Sequence, residues 1–161
     1  AAEQAGASLY AVRQPPDLRW HLPSIEVGPD ESLALATFLA HVDVAVAIHG
    51  YGRDGWWTSL LLGGTHRPLA SHLAEHLRVA LPGYNVVDEL ADIPADLRGV
   101  HSRNPVNLPR LGGVQLELPP RTRSRTVPMW ADLPAHEPIP HQLDLIAGLV
   151  AAARSWPTAT G

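Results

Sequence analysis

Hydrophobic and polar positions along this chain follow two periods. From Val42 to Ile48 it reads Val-Asp-Val-Ala-Val-Ala-Ile, nearly continuous and rich in β-branched residues. Such a run predicts a central strand covered on both faces. Gly113 to Leu118 alternates strictly, with Val114, Leu116 and Leu118 on one face and Gln115 and Glu117 on the other. Pro119 and Pro120 stop it. The apolar runs Leu60–Gly64 and Tyr84–Asp88 predict two more strands. Ser8–Arg13 and Leu18–Leu22 read as further short strands, parted by a turn at Gln14–Asp17.

The helical period appears elsewhere. Leu69, Leu73, Leu77 and Ala80 share one face of a helix predicted over Arg67–Leu81, with Thr65 as its cap. Leu143, Ile146, Leu149 and Val150 do the same for Ile139–Trp156. Pro29-Asp30-Glu31-Ser32 has the chemistry of a helix start, and that helix reaches about Ala40. Ala1 to Gly6 reads as the last turns of a helix closed by glycine. Residues 89–111 are mostly irregular, and 119–138 form a proline- and arginine-rich excursion. Strands alternating with helices predict one α/β domain, a three-layer sandwich, over the whole of 1–161.

Composition narrows the function classes. The formal charge of −4 offers no case for a nucleic-acid partner, and every one of the 12 basic residues is arginine. The Arg121-Thr122-Arg123-Ser124-Arg125 cluster reads as a solvated loop. The absence of cysteine removes disulfides, thiolate metal sites and cysteine nucleophiles. No apolar stretch approaches the length of about 18 residues that a membrane span needs. No basic-then-apolar leader opens the chain, and the expected compartment is cytoplasmic or unknown.

Chemistry concentrates at two strand ends. The apolar strand runs directly into His49-Gly50-Tyr51-Gly52, which puts an imidazole at its carboxyl end beside a glycine that permits a sharp turn. Glu117 stands near the carboxyl end of the alternating strand, where open α/β sheets place their ligands. The two ends can meet in one cleft. Just before Glu117's strand lies Ser102-Arg103-Asn104-Pro105-Val106-Asn107. An arginine fork binds carboxylates bidentately, and asparagine amides help to orient them. Arg103, Asn104 and Asn107 are therefore the substrate-facing candidates, with Arg53 and Tyr51 behind them. His72 and His76, spaced i, i+4, can share a metal on one helix face, but no acidic residue completes the zincin pattern. A serine hydrolase is disfavoured, since no Gly-x-Ser-x-Gly elbow is present.

Taken in order, Leu18-Arg19-Trp20-His21, His49-Gly50-Tyr51-Gly52, Leu62-Gly63-Gly64, Asn104-Pro105-Val106-Asn107 and Gly112-Gly113-Val114-Gln115-Leu116-Glu117-Leu118 resemble the poly-γ-glutamate hydrolase family. The resemblance spans about Ser8 to Arg123. It implies a zinc-dependent amidohydrolase on a carboxypeptidase-like α/β fold with a mixed sheet, acting on poly-γ-glutamate or a similar acidic polymer or peptide. It also implies that His49 is the third zinc ligand and Glu117 the general base. The family's first two ligands come from a His-Gly-Gly motif and a nearby glutamate, which this chain lacks. The expectation is a chain without its first strand or strands. The alternative is a non-catalytic fragment or homologue that keeps the fold but has lost zinc.

Overall fold

The structure, a computed structural model, describes residues 1–15, 17, 22–123, 137 and 139–157. Four strands, β1 (Ala45–Gly50), β2 (Ser59–Leu62), β3 (Asn85–Val87) and β4 (Gly113–Leu118), form one mixed sheet in the order β1-β4-β2-β3. β1 runs parallel to β4 and β2 parallel to β3, while β2 and β4 are antiparallel. The helices are α1 (Ala2–Ala5), α2 (Leu33–His41), α3 (Arg67–Ala80), α4 (Pro120–Arg123) and α5 (Pro140–Ser155).

The alternation in β4 sorts the molecule into layers. Val114, Leu116 and Leu118, with Leu60 and Leu62 of β2, face a core completed by Leu69, Leu73 and Leu77 of α3 and Leu145 and Ala152 of α5. The opposite face carries Leu61, which packs with Tyr51 and Ile93 and is flanked by Trp56, Leu90 and Leu97. On that side the cover is irregular chain with short 3-10 turns at Leu90–Asp92, Ala95–Leu97 and Pro105–Asn107. Leu61 and Glu117 are register partners, so Glu117 belongs to this second face.

Several expectations need correction. The apolar run ending at His49 forms a strand, but β1 lies at the sheet edge among the described residues, not at its centre. Val46 and Ile48 are 38% and 53% exposed. The reason is lateral: the α3–α5 core engages β2 and β4 and does not include those two side chains. Ser8–Arg13 is not a strand. Leu9 and Val12 are exposed, and Tyr10 rests on Phe38 of α2 with ring centroids 5.9 Å apart. An apolar segment becomes a strand only where a ladder partner takes up its backbone groups. The predicted strand Leu18–Leu22 falls mainly on residues 18–21, outside the described residues, as does most of the 119–138 excursion after Arg123.

The cap of α3 also moves by one residue. His66 is the N-cap, its Nδ1 accepting from Leu69 N at 3.1 Å. Thr65 is held elsewhere, its backbone N and Oγ1 donating to Asn107 Oδ1 at 3.1 and 3.0 Å. Ser32 caps α2 as its sequence suggests, accepting from Leu35 N at 3.2 Å. Gly6 closes α1 in the left-handed conformation at φ 68°. No helix among the described residues is long and apolar enough to cross a membrane.

Candidate active site at the ends of β1 and β4

Parallel pairing of β1 and β4 brings their carboxyl ends together. The ladder sets His49 directly across from Glu117 and Gly50 across from Leu118. Register partners point to the same side of a sheet, so His49 and Glu117 share the face that the irregular layer covers. Glu117 is 4% exposed, unusual for a carboxylate. Burial pushes its carboxyl above the ordinary carboxylate range. The Gln115 hydrogen bond and the Arg123 charge pull it back, and Asp96 pushes it up again. A carboxylate held this way exchanges its proton closer to neutral pH, as a general base requires.

A line of buried amides fixes Glu117 in place. Gln115 Nε2 donates to Glu117 Oε1 at 2.8 Å, which two residues on one face of a strand can do. Asn104 Nδ2 donates to Gln115 Oε1 at 2.7 Å and to the Gly99 carbonyl at 3.2 Å, and Asn104 Oδ1 accepts from Val106 N at 3.3 Å. Gly99 has a φ of +62°, and a Cβ there would lie 2.6 Å from the Gln115 amide. Only glycine combines that backbone with that approach. Asn107 braces the same loop, donating to the Gly99 and His101 carbonyls at 2.7 and 3.1 Å while accepting from Thr65. The amides of Asn104 and Asn107 are thus engaged with the loop and with β4. Arg103 is exposed, and it precedes the residue that fastens this loop to Gln115.

Two neighbours of the site were not singled out strongly from sequence. Arg123, read as part of a solvated cluster, closes over the strand ends. Its Nε donates to the Leu118 carbonyl at 3.2 Å and its Nη2 to the Tyr51 carbonyl at 3.0 Å. It lies against Gly50, where a Cβ would come within 2.5 Å of its Nε. The available signal was its position just past the strand bearing Glu117. Tyr51 is buried, and its hydroxyl donates toward the Ser59 and Trp56 carbonyl oxygens, 2.7 and 2.9 Å away. Burial first, and the Glu117 charge second, push it up to about 12. It stays a neutral donor at any ordinary pH. Arg53 pairs with Asp96 at 2.7 Å on the surface.

This arrangement bears directly on what the chain is. The model of a family described as poly-gamma-glutamate hydrolase matches residues 1–130. The chain belongs to the poly-γ-glutamate hydrolase family. No curated protein matches it. Among solved structures, it is similar to a bacteriophage poly-γ-glutamate hydrolase. The identity is 24% and the TM-score 0.67, over 95% of this chain and 70% of that one. It is also similar to the zinc-free apo form of YNDL, at 29% identity and a TM-score of 0.49, over 62% of this chain. The chain spans 45% of that second protein's length. The phage enzyme's likeness supports the α/β fold built on a mixed sheet.

Catalytic zinc takes three protein ligands and keeps one position open. Among the described residues no group of three or more histidine, cysteine, aspartate or glutamate side chains is placed to hold a metal. His49 with Glu117 falls short of that set, so the described residues do not fit zinc by themselves.

Proposed function

We propose that this protein hydrolyses γ-glutamyl amide bonds, or closely related acidic amides, with Glu117 as the general base. The observation that carries the reading is the buried Glu117 carboxylate, raised by desolvation and set beside His49 where two parallel strands end. Family membership supports this substrate class. In this reading Glu117 takes a proton from the water that attacks the amide carbon, then delivers it to the departing nitrogen. Gln115 and Asn104 hold the carboxylate in one orientation. Arg123 places a cation at the rim, and Arg103 meets the carboxylates that every unit of a γ-linked glutamate chain carries. His49 offers one nitrogen donor beside Glu117, and no step of this reading is routed through a metal.

The test compares the protein with Glu117→Gln on poly-γ-glutamate, following loss of polymer length and release of amine. Turnover falls by roughly 10²-fold or more while the unfolding midpoint is preserved or raised. Undiminished turnover in Glu117→Gln would take this strand out of the chemistry.

A further inference from the structure

Away from the strand ends, His72 and His76 stand one turn apart on α3, facing the last turn of α5. Both imidazoles converge on the same oxygen. Ser155 Oγ lies 3.2 Å from His72 Nε2 and 2.9 Å from His76 Nε2. His72 Nε2 is also 3.0 Å from the Ala152 carbonyl oxygen. The two rings meet edge-on with centroids 4.9 Å apart. Trp156 packs edge-on against His72 at 5.2 Å, which limits how that ring can turn.

We propose that His72, His76, Ser155 and the Ala152 carbonyl form a site for one late first-row divalent ion bridging α3 and α5. The argument is geometric. Adjacent donors around an ion with bonds of about 2.1 Å stand roughly 3.0 Å apart in octahedral geometry and roughly 3.4 Å apart in tetrahedral geometry. The three measured separations, 2.9, 3.0 and 3.2 Å, already lie near that range. Ser155 Oγ and the Ala152 carbonyl oxygen, 3.3 Å apart, fall in the same range. Histidines at i and i+4 of a helix reach the same side by construction.

Proton bookkeeping is simple. A carbonyl only accepts, so His72 now carries its proton on Nε2. On binding, that proton moves to Nδ1 and Nε2 turns to the ion, with no net change in charge on the ring. Two neutral imidazole nitrogens with two neutral oxygens favour Cu²⁺, Ni²⁺ and Zn²⁺, and leave Mg²⁺ and Ca²⁺ without the charged oxygens that they prefer. Among the described residues no carboxylate joins the two histidines in a three-ligand group, so the ion acts as a brace. It ties α5 to α3, the element that contributes more residues to the core than any other. This site is remote in sequence from His49 and Glu117, and it does not depend on the hydrolase reading.

The experiment titrates tag-free protein with Cu²⁺, Ni²⁺, Zn²⁺ and Mg²⁺, read by calorimetry, tryptophan fluorescence and thermal unfolding. One Ni²⁺ or Cu²⁺ binds per chain and raises the unfolding midpoint, as any ligand of the folded state alone must. Mg²⁺ gives no response. His76→Gln keeps a hydrogen-bonding partner for Ser155, and it weakens Ni²⁺ binding about tenfold or more. His49→Gln leaves Ni²⁺ binding as it was. Equal binding by wild type and His76→Gln, loss of binding in His49→Gln instead, or no binding of any of the three ions overturns the proposal.

Discussion

Glu117 lies directly across the parallel ladder from His49, one residue from the carboxyl end of each strand. That pairing makes two residues 68 positions apart into neighbours on one face. Burial on that face sets the direction in which Glu117 titrates. A general base works when ionised, and burial raises the Glu117 pKa. The acid limb of kcat/KM on poly-γ-glutamate should therefore stand above the ordinary glutamate range of about 4.3. A limb at the ordinary value would mean that Glu117 does not govern the rate.

The same burial has a cost in stability. Between its unfolded and its raised folded pKa, Glu117 binds more protons in the folded state than in the unfolded one. Stability contributed by this group is therefore full at low pH and is lost as pH rises through the folded pKa. Glu117→Gln keeps the acceptor for Gln115 and removes the buried charge. It should unfold at higher temperature than wild type at about pH 8, with the difference closing toward about pH 4. Calorimetric melts across that range measure it. A destabilised variant at the upper pH contradicts the linkage.

The amide line behind Glu117 should be intolerant of apolar replacement. Asn104→Leu takes the donor from Gln115 Oε1 inside the loop layer, while the Gly99 carbonyl keeps Asn107 Nδ2. An unsatisfied buried polar group costs about 1–3 kcal/mol, so denaturant unfolding should show a loss of that size. Asn104→Asp tests the polarity of the line. It withdraws the donor and sets a second carboxylate near Glu117, which should push the acid limb of activity further up.

Arg103 should discriminate substrates by charge. Arg103→Ala should weaken kcat/KM on γ-glutamyl oligomers by about 1.5–3 kcal/mol while sparing a neutral amide of equal length. Arg103→Lys should recover part of that loss, since the point charge remains but the planar fork is gone. Equal losses on both substrates would assign Arg103 to holding the loop.

Zinc content can be read separately at the strand ends once the α3–α5 pair is removed. In a His76→Gln background the 161-residue chain should retain well under one zinc after dialysis, because His49 alone supplies too few donors. Any zinc left should vanish in His49→Gln. Tight, stoichiometric zinc that survives His49→Gln would refute the ligand assignment.

Much of the molecule could be read along the chain because local periodicity is physical. The strict alternation of Val114 to Leu118 requires opposite faces wherever the strand sits, and the Leu69-Leu73-Leu77 stripe requires a buried helix face. Caps and stops were legible within a residue or so, at Ser32, Gly6 and Pro119, since each acts through its own backbone. Family membership was legible from ordered short motifs, and with it the candidate pairing of His49 and Glu117. Only the tertiary structure decided what depends on partners distant in sequence. An apolar run cannot say whether helices extend over it, and β1 lies at an edge with Val46 and Ile48 partly open. An asparagine in a polar loop cannot say whether its amide meets solvent or a buried glutamine, and Asn104 meets Gln115. Arg123 looked like one charge in a solvated cluster until the strand ends came beneath it. Periodicity is set by bonds within a few residues, whereas cover, register and polar partnership are set by what the rest of the chain packs against.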